Sequence, residues 1–201
     1  MRDRNAPGRP REFDDIEMLR KIMKLFWKNG FDGVSLSLIM KETALQKASL
    51  YAAFGDKRSM YLKALRQYHA DVVAAAARAL KDKSVAARDR IEAFITAPLA
   101  DAAKDDRSGC FLCNASADQS DLDSETKAQV SIGFEQLTNA LMVPLNEINP
   151  GHSTADVTSK AQVLLALYVG FRIMVRSGIA IEGIELGAVG LNPLEVALPK
   201  I

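Results

Sequence analysis

The sequence predicts an all-α protein, and three observations carry that prediction. Apolar residues recur at spacings of three and four along most of the 201-residue chain, while the alternation of a half-buried strand is nearly absent. Capping residues of the Ser, Asp and Asn type precede several of the apolar stripes. Near the N-terminus two helices of about eight residues are joined by a tight turn, and helices so short form only when packed against others.

Taken in order, residues 1–12 hold Pro7, Gly8 and Pro10 among Arg2, Arg4, Arg9 and Arg11 and read as a flexible basic arm. Asp14, with Glu17 three residues later, is a capping-box start for a first helix. Ile16, Leu19, Met23 and Phe26 form its expected apolar stripe, and Asn29-Gly30 are residue types suited to its end. Ser35 caps a second helix running to Thr43, with Leu36, Ile39 and Met40 inward. After Ala44-Leu45 a third helix runs from Lys47 to Phe54. Gly55 breaks the chain, and Asp56 caps a long fourth helix carrying Met60, Leu62, Leu65 and Val72. Two short helices braced by a preceding one form the helix-turn-helix plan. Further helices are expected near residues 85–103, 109–118, 124–147 and 155–177, with a weaker one near 182–190. Val163 to Val175 is apolar nearly all round apart from Arg172. Such a helix is buried on two sides, in a core or between a core and a partner subunit.

Composition narrows the function. About half of the residues are hydrophobic and a quarter charged, as in a soluble globular chain. No apolar run approaches the roughly 20 residues of a membrane span, the first residues lack a secretory h-region, and two cysteines suit a reducing cytoplasm. No membrane partner or cofactor is expected. The net charge of +1 conceals an asymmetry. Residues 1–66 carry 14 Lys/Arg against 8 Asp/Glu, whereas residues 67–201 carry 12 against 17. A basic N-terminal part points to a polyanionic partner.

The block GFDGVSLSLIMKETALQKASLYAAFGDKRSMYLKAL, Gly30 to Leu65, resembles the DNA-binding region of the TetR/AcrR family. The match lies in Gly30-Phe31, in Ser35 at a helix start, and in Ser49-Leu50-Tyr51 followed by Phe54 and Lys57. The sequence departs from the family at Ala44, where Gly is common, at Gln46, where Ser or Thr usually caps, and at Ala52 and Ala53, which replace bulkier residues. The resemblance implies a homodimeric repressor with three parts: a basic arm (1–12), a helix-turn-helix domain (13–60) and an effector-binding and dimerisation domain (61–201). It implies double-stranded operator DNA, a palindromic site and a small-molecule or electrophile effector, and no enzymatic activity. Gln46, Lys47, Ala48, Ser49 and Tyr51 are the candidate DNA-facing residues of the third helix. Gln pairs bidentately with adenine and Lys donates to guanine, while the resemblance sends the Tyr51 hydroxyl to a phosphate. Ser35 and Lys57 stand at helix starts, where backbone N–H groups also favour anions, and are expected to position rather than to specify.

In the C-terminal part, Cys110 and Cys113 form a C-x-x-C pair without further ligands at metal spacing, and no metal is expected. The pair reads as small core residues, or as a sensor with Cys110 in a first helical turn beside Arg107. A thiol oxidoreductase is the alternative function. Gly109-Cys110 with Asn114 is also similar to a GC-x-x-x-N stretch of some TetR members, electrophile sensors included. Phe94, Phe111, Phe134, Met142 and Tyr168 are candidate effector-pocket residues. Arg172 is either an anchor for an anionic effector or half of an ion pair across a dimer.

Overall fold

The computed structural model describes residues 14–104, 106–118 and 123–179, so the basic arm and the weak helix expected near 182–190 lie outside the described residues. Among the described residues the secondary structure is helical, without strands. Helices α1 (Asp15–Asn29), α2 (Leu36–Thr43), α3 (Lys47–Phe54) and α4 (Lys57–Tyr68) are followed by a π turn (His69–Val73) and α5 (Ala74–Lys81). Then come α6 (Ala87–Ala103), α7 (Phe111–Asp118), α8 (Ser124–Ile148) and α9 (Thr154–Arg176).

The capping signals explain where these helices begin. Asp14 accepts from Ile16 N at 2.8 Å and Ser35 from Leu38 N at 3.1 Å. Asp56 accepts from Ser59 N at 2.7 Å, and Asp123 from Thr126 N at 3.0 Å. Each satisfies an N–H that the helix itself leaves open. Only half of the expected capping box forms at α1, because Glu17 pairs with Lys21 at 3.3 Å. The buried face of α1 is also rotated from the expected stripe. Met18, Ile22, Met23 and Phe26 are buried, while Ile16 is exposed. Position 16 lies in the first turn, ahead of the place where α1 meets α4.

α1 packs on α2 and α4, and α4 together with the π turn and α5 runs as one rod from the N-terminal helices into the rest. α5 and α6 pack on α8, and α6 and α8 on α9. One continuous buried cluster extends from Met18 to Val175. Tyr61 is the aromatic hub where the two regions meet, with ring centroids 5.2 Å from Phe26, 5.1 Å from Phe31 and 5.6 Å from Phe111. All three are edge-on, the geometry that adds about 0.5–1.5 kcal/mol per pair beyond area burial. Arg90 is buried, donates to Leu80 O at 2.8 Å and pairs with Glu147, which ties α5, α6 and α8 together.

α9 departs from the sequence expectation about membranes. It is long and apolar enough to cross one, with a mean hydropathy of 1.2 over 18 residues. In the fold it is a packed helix whose Val157, Ala161, Leu164, Tyr168, Phe171 and Val175 are buried, while Val163 and Ile173 on other sides are exposed.

Candidate nucleic-acid interface and thiol cluster

α3 buries Leu50 and Phe54 and leaves Lys47, Ala48, Ser49, Tyr51 and Ala52 exposed. Leu50 and Phe54 are one helical turn apart, so a single apolar edge seats the helix and the other sides stay available. Gln46 occupies the N-cap position without a side-chain cap bond, which leaves its amide clear of the helix start. Lys47 Nζ lies 5.9 Å from the Tyr51 ring centroid. The turn between α2 and α3 passes through Ala44 in the left-handed region, φ 56° and ψ 18°, the conformation that a glycine would take freely. Ser35 is exposed and caps α2. Lys57 is half-buried rather than solvated, with Nζ 4.4 Å from the Phe31 ring centroid, a contact that fixes the ammonium at the start of α4.

A second cluster lies inside the molecule. The chain turns at Gly109, φ 73°, and Cys110 precedes α7 rather than lying in its first turn. Its carbonyl accepts from Asn114 N at 2.9 Å. The turn is docked on α1: Trp27 Nε1 donates to Gly109 O at 3.2 Å, and Asn114 Nδ2 donates to Trp27 O at 3.0 Å and to Ser108 O at 2.9 Å. Gly109 and Asn114 therefore work as a splice between α7 and α1. Sequence reading noted the spacing but not Trp27 or Tyr68, which are far away in the chain.

Cys110 is 1% and Cys113 8% exposed. Tyr68 OH donates to Cys110 Sγ at 3.5 Å. The Cys113 thiol is a second donor to Cys110, and with the Tyr68 bond it outweighs burial and holds the Cys110 thiol below its ordinary pKa. The same interaction raises Cys113, which stays protonated as the donor. Burial keeps Tyr68 well above the usual phenol range, so it too remains a donor. Arg107 is exposed, and the groups that chiefly lower Cys110 are Cys113 and Tyr68.

Of the expected pocket residues, Phe94 and Tyr168 stack with centroids 4.3 Å apart. Arg172 Nε donates to Tyr168 OH at 3.0 Å, and its Nη1 pairs with Asp101 at 2.5 Å. The carboxylate that Arg172 meets in this chain is Asp101, on α6. Burial opposes its charge, but Tyr168 and Asp101 more than offset this and raise its pKa. Phe111 touches Tyr61 and Tyr68 and belongs to the aromatic junction. Phe134 and Met142 lie elsewhere. Phe134 lines a groove between α8 and α9 with Thr138, Gln162 and Leu165, and Met142 Sδ faces Thr158 Oγ1 at 3.8 Å.

The family model described as bacterial regulatory proteins of the tetR family matches residues 18–64, the stretch that forms most of α1, all of α2 and α3, and most of α4. The chain is 30% identical over 188 residues to the HTH-type transcriptional repressor ComR of Escherichia coli strain K12, covering 89% of this chain and 87% of that one. The crystal structure of the reduced form of E. coli NemR is similar, with a TM-score of 0.73 and 25% identity over 92% of this chain and 93% of that one. In fold alone the chain also resembles the TetR family regulator CifR, solved with a 26bp double-strand operator, at a TM-score of 0.70 and 20% identity, covering 94% and 97% of the two chains. With a homologue of that identity aligned over most of its length, and the helix-turn-helix in place, the chain belongs to the TetR family of transcriptional regulators.

Proposed function

We propose that the protein is a transcriptional repressor that holds double-stranded operator DNA with α2, α3 and the start of α4, and releases it when an effector occupies the cluster around Cys110. The observation that carries this reading is the exposed side of α3. Gln46, Lys47, Ala48, Ser49 and Tyr51 stand outward on a helix of major-groove dimensions, seated chiefly by Leu50 and Phe54. Residues 13–60 act as the DNA-binding unit, and residues 61–201 as the effector-binding and dimerising one. The relative aligned along most of the chain carries the name of a repressor, which supports the direction of control.

The repressor works as a cytoplasmic homodimer on a palindromic site. Ile132 on α8 and Val163 and Ile173 on α9 are exposed at 50%, 42% and 53%, and beside them runs the groove holding Phe134, Leu165 and Val169. A second copy of the α8–α9 face would cover these side chains, and a two-fold dimer matches a two-fold operator.

Cys110 is the residue on which an electrophilic effector acts. Its thiolate adds to an activated alkene, forming an S–C bond, and the carbanion takes its proton from Cys113 or water. The adduct cannot fit where Tyr68, Phe111 and Cys113 now meet, so α7 must leave its seat on α1. Burial of both thiols argues against the oxidoreductase alternative, because a protein disulfide cannot reach them, whereas a small electrophile reaches Cys110 when α7 opens locally. The test is a mobility shift with DNA from upstream of the gene, with and without N-ethylmaleimide. The parent should bind and then release, while Cys110→Ser should bind and stay bound. If Cys110→Ser releases as the parent does, Cys110 is core packing and alkylation acts at Cys113 or another nucleophile. Failure of the parent to bind better than to unrelated DNA removes the repressor reading.

A further inference from the structure

A cleft of about 880 Å3 opens between α1 and the C-terminal helices, lined by Lys24, Trp27 and Lys28 on one wall and by Asp106, Arg107, Ser108 and Arg176 on the other. Four cations face one carboxylate. That carboxylate is already engaged, since Asp106 accepts from Ser108 N at 3.0 Å and from Ser108 Oγ at 2.5 Å. Several cations elsewhere do meet acids. Arg20 pairs with Asp71, Lys21 with Glu17, Arg58 with Asp123 and Glu125, and Arg172 with Asp101. Lys24, Lys28 and Arg176 have no carboxylate partner among the described residues. Arg176 donates only to carbonyls, Ser108 O at 3.1 Å and Trp27 O at 3.5 Å, and these bonds hold its guanidinium at the seam. With four cations and one carboxylate among its described residues the lining is net positive, and such a cleft concentrates the field and draws the opposite sign. No residue of α2, α3 or the first turn of α4 lines it, so it is separate from the DNA-facing residues. It adjoins the turn that carries Cys110, sharing Trp27 and Ser108 with it, but neither thiol lines it.

We propose that this cleft is a binding site for a small polyanion, a phosphate ester or a polycarboxylate with at least two negative groups, which bridges α1 and the C-terminal helices. Two anionic groups are required because the cations stand on both walls, and the Arg176 fork suits a planar carboxylate or phosphate edge. The Trp27 ring offers an apolar shelf for the body of the ligand. A ligand that touches both walls favours the arrangement in which they stand at this separation, so by linkage its binding and DNA binding alter each other. That last step rests on the repressor reading, whereas occupancy of the cleft does not.

Trp27 is the only tryptophan of the chain, so its fluorescence reports the cleft directly. The test titrates the full-length protein with inorganic pyrophosphate, and separately with citrate, at ionic strength held constant with chloride. The expected result is a saturable change with a Kd below about 1 mM for at least one of them. It should weaken tenfold or more, about 1.4 kcal/mol, in Lys24→Gln/Lys28→Gln and remain unchanged in Lys127→Gln on the exposed side of α8. A change that follows ionic strength alone, or one lost equally in Lys127→Gln, overturns the site. The affinity of the double variant for a short DNA duplex, measured without pyrophosphate, should equal that of the parent. An equal loss of duplex affinity would assign the two lysines to DNA phosphates and overturn the small-ligand proposal. Failure of the parent to bind any duplex would remove the repressor reading and leave the Trp27 titration standing.

Discussion

At the scale of single residues, Ala44 shows what one side chain costs. It is the one non-glycine residue with positive φ among the described residues, and its Cβ meets the following carbonyl in that conformation. Ala44→Gly should stabilise the fold by up to about 1 kcal/mol, because relief of the left-handed strain exceeds the extra freedom glycine gives the unfolded chain. Urea unfolding checks it, and a lower midpoint would show that the turn does not bear this strain. Lys47 and Lys57 differ in another way. Lys47 stands on the exposed side of α3, whereas Lys57 is fixed over Phe31 at the start of α4. Lys47→Ala should weaken operator binding and blur base preference by roughly 1–3 kcal/mol at one position. Lys57→Ala should weaken all sequences alike, and competition with mutated operators separates the two. Equal losses of specificity would refute these roles. The exposed residues of α3 were legible in the sequence, because position relative to Leu50 and Phe54 decides exposure on so short a helix. The partners of Cys110 and Arg172 were not. Tyr68 is 42 residues from Cys110 and Asp101 is 71 from Arg172, and no local pattern announces a contact of that range.

At the scale of elements, the long rod from Lys57 to Lys81 is not one uniform α-helix. Five residues, His69 to Val73, take π geometry. A π turn inside a helix marks a place where the regular ladder gives way to a local demand. Here Asp71 reaches Arg20 on α1 with two bonds, at 2.8 and 3.0 Å, while His69 packs toward Gly133 of α8. A Cβ added at Gly133 would lie 3.0 Å from the His69 ring and 2.5 Å from the end of the Leu112 side chain, so any larger residue there must displace one or both. Sequence periodicity could show a long helix but not the extra residue within it, because the alanines at 74–77 that follow offer no contrast between faces from which a shift of phase could be read. The half-buried His69 has a pKa lowered by burial, partly opposed by a hydrogen bond to the Gln129 backbone. The unfolded chain therefore takes up this proton first as pH falls, and stability is lost from the unfolded value of about 6.5 downward through the folded one. Asp71, held below the usual carboxylate range chiefly by Arg20, acts in the same direction at lower pH. Between pH 7.5 and 5.5 the parent should lose more stability than His69→Gln, measured by urea midpoints. Equal losses would remove His69 from the account.

At the scale of the whole molecule, the two regions are joined by side chains rather than by a linker alone. Tyr61 and Phe111 meet at one end of the junction, Trp27 and Asn114 pin the turn before α7, and Arg20–Asp71 ties α1 to the π turn. A change at Cys110 therefore has a physical route to α1 and α4, the helices that seat α2 and α3. Fold class, helix order and the helix-turn-helix were readable from periodicity and caps. How α7 docks on α1 depends on Trp27 and Asn114, polar contacts between distant positions, and became visible only in three dimensions.

The homodimer on a symmetric operator is the central claim, and a nuclease footprint on DNA from upstream of the gene, read together with the sedimentation of the complex, tests it most directly. A homodimer should leave two protected half-sites related by a two-fold axis, centred about 34–36 Å or a multiple of that apart along the duplex, with an even number of protein chains per duplex. Protection no stronger than on unrelated DNA at the same salt, or a single asymmetric site held by one chain, would contradict it.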